Sequence, residues 1–361
     1  MSAQLANPIR LAVVGSGRLG GFHAKLAAAS DRFELVAVCD PSEAAAAALA
    51  EVTGATPVSD YHEIADQVDA VVIATPTFTH GAIGADLLAH GKHCLIEKPL
   101  AATKDEADSL VELADENGVV LQVGHVERFN PAMKLAEEAI REPKFITATR
   151  MSGYTFRSTD IGAVLDMMIH DIDLVLGLVD SPVTGVTATG LSVLGDHEDM
   201  ATAQLTFASG CIAQLTASRV SYEMQRTMQV FDDRGFSAID FQTRTVTRVQ
   251  PRDEVIRREF SVADLSPDDV ERLKTGLFDE LLVKTSEEAP AVNAIELEQT
   301  DFADAIRLRQ SPVVSGAAGR DAVAVAEQVL DAMERHTWDG SLAGRRGPMA
   351  LPALPPARKA G

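Results

Sequence analysis

The sequence predicts an α/β protein of two units. A doubly wound parallel sheet covers residues 1–125, and an α/β unit on a mostly antiparallel sheet covers residues 126–338. Three observations predict this. Up to about residue 125, short and almost wholly apolar runs alternate with helix-like stretches, the pattern of strands covered on both faces. The first run opens into a glycine-rich turn and then a helix, as a βα unit does. Beyond it, strand-like runs follow one another with tight turns between them, which suits antiparallel pairing.

In chain order, residues 10–14 (RLAVV) form the first strand, followed by Gly15-Ser16-Gly17-Arg18-Leu19-Gly20 and a helix to residue 29. Residues 33–39 (FELVAVC) form the second strand and end at Asp40, before an alanine-rich helix at 42–51. Strands at 69–74 and 92–96 flank a helix at 79–90, and a helix at 103–117 leads to a strand at 119–123. The second unit begins with a strand at 144–154. A single long helix at 161–179 follows, capped by Ser158, Thr159 or Asp160. Strands are then expected at 183–194, 200–207, 210–217, 225–232, 236–240, 243–250 and 254–260, punctuated by Gly195, Ser209-Gly210 and Asp232-Asp233-Arg234-Gly235. Helices at 293–310 and 318–336 close the pattern and are expected to pack back toward the first unit. Residues 339–361, rich in Gly, Pro and Ala, are expected to lack fixed structure.

A chain of 361 residues can bury real cores without staples. Its 32 basic against 53 acidic residues leave a net charge of −21. That balance argues against binding a nucleic-acid backbone or an anionic lipid surface. No apolar run approaches the ~20 residues of a membrane helix. The N-terminal apolar stretch runs into the glycine turn, so it reads as a strand and not as a signal peptide. Cys39, Cys94 and Cys211 form no CxxC. They argue against a disulfide framework and against a metal site, and they fit a reducing cytoplasm.

The chemistry-bearing motifs cluster at predicted strand ends. GxGxxG between strand and helix is a dinucleotide loop: Gly15 permits the turn, Gly17 admits a pyrophosphate, and Gly20 lets helix and strand approach. Asp40, about 20 residues further on, is placed to accept ribose hydroxyls, which favours NAD over NADP. Ala74-Thr75-Pro76-Thr77-Phe78-Thr79-His80 follows a buried strand, where ligands of open parallel sheets sit. Glu97-Lys98-Pro99 ends another strand, and a lysine there can exchange a proton with a substrate hydroxyl. In Asp166-Met167-Met168-Ile169-His170-Asp171-Ile172-Asp173, Asp166 and His170 share a helix face, with Asp173 one turn on.

These residues together resemble the glucose–fructose oxidoreductase / inositol dehydrogenase / rhizopine-catabolism family of NAD(P)-dependent oxidoreductases. The likeness spans residues 8–338 and rests on GSGRLG, ATPTFTH, CLIEKPL and DMMIHDIDL. It implies that Lys98, Asp166 and His170 act at a sugar or cyclitol hydroxyl, with Asp166 holding the histidine ring. It implies a cofactor surface of Gly15 to Gly20, Asp40, Ala74, Thr75, Pro76, Thr77, His80, Glu97, Lys98 and Gln122. It also implies a cis Lys98–Pro99 bond. Where many members carry a glycine inside DxxxH, this chain has Met167-Met168, which bears on the pocket floor. A homo-oligomer, dimer or tetramer, is implied through the open face of the second sheet, with exposed apolar residues there.

One further stretch, Gly124-His125-Val126-Glu127-Arg128-Phe129-Asn130-Pro131-Ala132, resembles the subgroup that oxidises nucleotide sugars, the UDP-N-acetylglucosamine 3-dehydrogenases. Arg128 would then pair with a diphosphate and Asn130 with a sugar hydroxyl or amide, with Arg150, Arg157 and Arg219 as weaker phosphate partners. The plainer alternative is that Glu127, Arg128 and Asn130 only cap and brace the next helix. Two other functions stay open: an inositol or free-hexose dehydrogenase, and a non-catalytic dinucleotide-binding regulator.

Overall fold

In the computed structural model, which describes residues 7–156, 160–338 and 346–348, the apolar runs of the first unit are six parallel strands. The elements are β1 (Ile9–Val14), α1 (Arg18–Ala29), β2 (Phe33–Cys39), α2 (Glu43–Thr53), β3 (Thr56–Val58), β4 (Ala70–Ile73), α3 (His80–Ala89), β5 (His93–Glu97), α4 (Lys104–Asn117) and β6 (Leu121–Gly124). Their spatial order is β3-β2-β1-β4-β5-β6. The strand order reverses between β1 and β4, which opens a crevice at the carboxyl ends of these strands. Ser42 and Thr103 cap α2 and α4 by accepting main-chain N–H bonds.

The second unit contains α5 (Pro131–Glu137), β7 (Phe145–Met151), α6 (Ile169–Leu178), β8 (Val183–Leu191), β9 (Met200–Phe207), β10 (Ile212–Ser218), β11 (Gln225–Asp232), β12 (Gly235–Asp240), β13 (Thr245–Pro251), α7 (Asp253–Ile256), α8 (Pro267–Glu280), β14 (Leu282–Glu288), α9 (Ala294–Leu308) and α10 (Gly316–Arg335). The sheet runs β14-β13-β12-β11-β7-β10-β9-β8 and is antiparallel except where β7 lies parallel to β10. Alternate residues of its inner face, such as Ile146, Leu215 and Val230, are buried with Ile169, Ile172 and Val175 of α6 in one apolar cluster. The closing helices join the two units. Phe302 of α9 is buried among Leu11, Val13 and Leu95, while α10 packs on α4 and β6 and also on β8 and α6. Among the described residues, no helix is long and apolar enough to cross a membrane.

Several expectations need correction. Residues 254–260 are not a strand: α7 and irregular chain occupy them, and the last strand of the sheet is β14. The helix between, α8, carries a capping box of Ser266 and Asp269 with Pro267 at its first turn, a start signal present in the sequence. The long helix opens with a π-turn, Val164–Met168, before α6. Its Val164 N–H is capped at 2.9 Å by the Glu198 carboxylate, a distant residue rather than a local one. Asp160 makes no cap bond, and Ser158 and Thr159 lie outside the described residues. The open face of the second sheet is only partly apolar: half-buried Phe145, Phe231 and Phe236 are in ring contact on it in cross-strand register, beside Ile212, and the rest is polar. It presents Thr147, Thr149, Thr202, Thr216 and Thr227 with Gln204, Gln214 and Gln229 in cross-strand register. Residues 339–361 lie mostly outside the described residues, but the Gly347 carbonyl accepts from the Trp338 indole and the Pro348 carbonyl from the Ser192 N–H.

Candidate active site

The turn after β1 is built for close approach. Gly15 sits at φ 102°, and a Cβ there would lie 2.3 Å from the Ala74 carbonyl oxygen. A Cβ on Gly20 would fall 1.7 Å from the Gly15 carbonyl oxygen, so only glycine lets α1 start here. Above Gly17 nothing lies within 4 Å, and the N-terminus of α1 has no side-chain cap. Free helix N–H groups therefore face open space, with Arg18 and Leu19 in the first turn, a cradle that suits a pyrophosphate. Asp40, at the end of β2, accepts the Ser16 N–H at 2.8 Å and the Ser42 N–H at 2.9 Å, which holds its carboxylate beside the loop. Ala74, Thr75, Pro76 and Thr77 run along the same sheet edge after β4.

Two residues expected on the cofactor surface face elsewhere. His80 is buried, with its ring nitrogens 2.8 Å from the Pro99 carbonyl and 2.9 Å from the Thr75 carbonyl. It braces two loops. Gln122 is also buried and donates to the main-chain carbonyl of Glu298 at 3.0 Å.

The cleft beside this loop, of about 290 Å³, is lined by Leu19, Glu97, Lys98, Asp166, His170 and Arg226 among others. Lys98 directly follows β5 and is joined to Pro99 by a cis bond. Its Nζ donates to the Asp166 carbonyl at 2.6 Å and to the Asp166 carboxylate at 3.1 Å. Asp166 lies in the π-turn, a distortion that recurs at functional sites. It makes no hydrogen bond to His170 among the described residues, so its partner is the lysine rather than the imidazole. Burial, followed by the charges of Lys98 and Arg150, pushes His170 well below its ordinary range and leaves the ring neutral. Its Nδ1 is sealed off without a partner among the described residues, while the ring lines the cleft.

The arginines divide differently from the sequence expectation. Arg128 points inward: Nε lies 2.7 Å from the Asp173 carboxylate, and the guanidinium packs where a Cβ on Gly177 would stand. Asn130 caps α5 through the Ala132 N–H at 3.0 Å and donates to Glu127 at 3.0 Å. Arg150 is buried in a bidentate pair with Asp171 and a third bond to Glu127. Arg219 pairs with Asp199 at 2.7 Å, and Arg157 lies outside the described residues. The plainer bracing role thus fits Arg128 and Asn130. The cation that sequence reasoning missed is Arg226, which is exposed and lines the cleft, and whose guanidinium makes no hydrogen bond or ion pair among the described residues. It stands opposite Arg150 across β11 and β7, heading the inward stripe of Met228 and Val230. A larger groove, of about 690 Å³ around His93, Asp115 and Gln310, lies at the amino ends of β5 and β6, away from this chemistry.

A dinucleotide cradle beside a cleft of lysine, aspartate and neutral histidine defines an NAD-dependent oxidoreductase acting on CH–OH groups. The chain belongs to the GFO/IDH/MocA oxidoreductase family. Residues 9–125 match the "Oxidoreductase family, NAD-binding Rossmann fold" and residues 139–236 the "GFO/IDH/MocA C-terminal domain". It is 35% identical to the UDP-N-acetylglucosamine 3-dehydrogenase of Acidithiobacillus ferrooxidans over 90% of this chain and 97% of that relative. A solved structure of that enzyme superposes with a TM-score of 0.79, at 33% identity and the same coverage of both chains. Scyllo-inositol 2-dehydrogenase (NAD(+)) of Bacillus subtilis is 32% identical over 60% of this chain and 69% of its own. The WlbA dehydrogenase of Bordetella pertussis, solved with NADH and UDP-GlcNAcA, shares the fold at 22% identity and a TM-score of 0.70, with 90% of this chain and 96% of that one covered.

The carboxylate of Asp40 repels a 2′-phosphate, and no Arg or Lys follows it in Pro41-Ser42-Glu43-Ala44. A repulsion of roughly 1–4 kcal/mol over about 4 Å makes kcat/KM with NAD at least about fivefold higher than with NADP. Asp40→Ser narrows that gap. Comparable kcat/KM values for the two cofactors with the unaltered protein would overturn the preference.

Proposed function

We propose that the protein oxidises a secondary hydroxyl of a nucleotide sugar, the 3-hydroxyl of a UDP-linked N-acetylhexosamine, to a ketone. The observation that carries this is one cleft holding a lysine–aspartate pair, a neutral histidine and an unpaired arginine. The likeness to a UDP-N-acetylglucosamine 3-dehydrogenase along nearly the whole of both chains supports the sugar. NAD, when bound, supplies the hydride acceptor. The chain's own residues handle the proton and the position. Asp166 fixes the Lys98 ammonium over the cleft, which orients the hydroxyl oxygen. The neutral His170 ring accepts the proton directly or by way of Lys98. At the mouth, Arg226 receives the diphosphate, the role first given to Arg128. A protein of net charge −21 needs such a local cation to draw in an anionic substrate. The buried thiols Cys39, Cys94 and Cys211 fit a reducing cytoplasm. The open threonine- and glutamine-rich sheet face is assigned to a second copy of the chain; a monomer in light scattering would remove that assignment.

The test sets UDP-N-acetylglucosamine, N-acetylglucosamine and myo-inositol side by side with NAD, following NADH formation and identifying the product. The UDP-sugar is expected to turn over best. Arg226→Ala is expected to raise its KM about 10- to 100-fold, the worth of a hydrogen bond to a charged group, with NAD affinity unchanged. Robust turnover of inositol with none of the UDP-sugar would promote the cyclitol dehydrogenase reading, which the inositol-dehydrogenase relatives favour.

A further inference from the structure

Behind Lys98, a polar chain crosses the core between β5, α1 and α9. His23 lies 2.9 Å from the Glu97 carboxylate through Nε2. On its other side, the Gln299 side-chain amide donates to the His23 carbonyl at 3.0 Å and reaches His23 Nδ1 at 3.1 Å. A carbonyl can only accept, so the Gln299 atom is its nitrogen, and Nδ1 must accept as well. The His23 proton therefore sits on Nε2 and is donated to Glu97. Glu97 also accepts the main-chain N–H of Lys98 at 3.2 Å.

Glu298 adjoins this chain, fully buried, with both carboxylate oxygens lacking any partner among the described residues. His23, Glu97 and Glu298 offer atoms that all lie within 4.8 Å of one another. A gap of that size is one that a single water or a small side-chain shift can close. Gln122, whose amide holds the Glu298 main chain, has a buried, unpartnered Oε1 of its own. The site is therefore rich in acceptors and short of donors. Two ionised carboxylates this close, without solvent, repel strongly. Burial and then the Glu97 charge push Glu298 well above its ordinary value of 4.5, whereas His23 and Lys98 overcome burial and pull Glu97 down.

We propose that Glu298 keeps its proton at neutral pH and serves as a positioning residue. It supplies the missing donor to Glu97 and so fixes Lys98 at the end of β5. The ordering of the His23 proton argues against a metal centre here, because Nε2 is committed to Glu97 and is not free as a ligand. Only the kinetic arm of the test rests on the proposed substrate.

An infrared difference spectrum of the full-length protein at pH 8, wild type minus Glu298→Gln and without substrate, is expected to show one protonated-carboxyl stretch lost in the variant. Its absence from the difference would overturn the proposal. The folded state holds a proton that the unfolded chain loses near 4.5. Wild-type stability therefore falls as pH rises from there toward the folded-state value. His23, Glu97, Gln122 and Asp301 face this group in both proteins, so the Tm advantage of Glu298→Gln should grow from pH 5 to 8. A flat or reversed trend would count against the shared proton. In turnover, Glu298→Ala is expected to lose about 10- to 100-fold in kcat through misplacement of Lys98, and Glu298→Gln to recover most of it. Equal damage in both variants would mean that a charged carboxylate is required. Stoichiometric divalent metal in the wild type, absent from Glu298→Gln, would replace the proposal with a metal site. If the alanine variant does not fold, the glutamine variant and the infrared band still decide.

Discussion

Lys98→Met is expected to cut kcat by about 10²- to 10⁴-fold, the usual worth of a general acid–base group, while NAD still binds. Methionine keeps much of the lysine's apolar stem but removes the Nζ that bonds both the Asp166 carbonyl and its carboxylate. The glycine loop and Asp40 hold the dinucleotide by separate contacts, so the loss should fall on kcat rather than on cofactor affinity. His170→Asn should act in the same direction, and the double variant should lose less than the product of the two, because the groups serve one proton transfer. Single-turnover kinetics beside an NADH-binding titration measure both quantities. Near-normal kcat in either single variant would remove that residue from the mechanism.

Arg128→Ala is expected to cost about 3–5 kcal/mol of folding stability, the penalty of stripping one partner from a buried ion pair. Asp173 is 1% exposed in its side chain and accepts three bonds from Arg128, one of them through its carbonyl. Without the guanidinium its charge is stranded in the core. Arg128→Ala/Asp173→Ala should cost less than the two single losses added together. Urea unfolding measures the difference, and KM for the UDP-sugar in the folded variant should stay within a few-fold of wild type. A raised KM with unchanged stability would return the phosphate role to Arg128.

Much of the first sheet was legible in the sequence because each local preference agreed with the fold. Apolar runs, the glycine turn and the acid after β2 all point to one arrangement. The motif residues Lys98, Asp166 and His170 do converge on one cleft. What failed were inferences about where a side chain points. Arg128 and Asn130 lie in the expected loop, but Asp173, Glu127 and the cap of α5 claim them. The shared face of Asp166 and His170 assumed an unbroken helical period, which the π-turn interrupts. Arg226 carried a usable signal, since it shares strand parity with buried Met228 and Val230. β14 (LVKTSEE) ends in polar and charged residues and pairs only with β13, so no alternation of apolar residues marked it as a strand.

The closing helices set an order of events during synthesis. β1 to β6 are complete by residue 124, yet Phe302 and Ala303, which complete the apolar layer over Leu11 and Val13, are made only after every strand of the second sheet. Helix α10, which touches both sheets, is made later still. A nascent chain can therefore pair all its nucleotide-binding strands and still expose part of their covering surface for most of translation. Glu298 and Gln299 arrive on the same late helix, so the polar chain behind Lys98 closes only when this layer does. The second unit is also still missing the cover that α10 gives β8 and α6. Folding of the two units is thus completed by one late step, and this is the interval in which chaperone binding or premature termination would act on the chain.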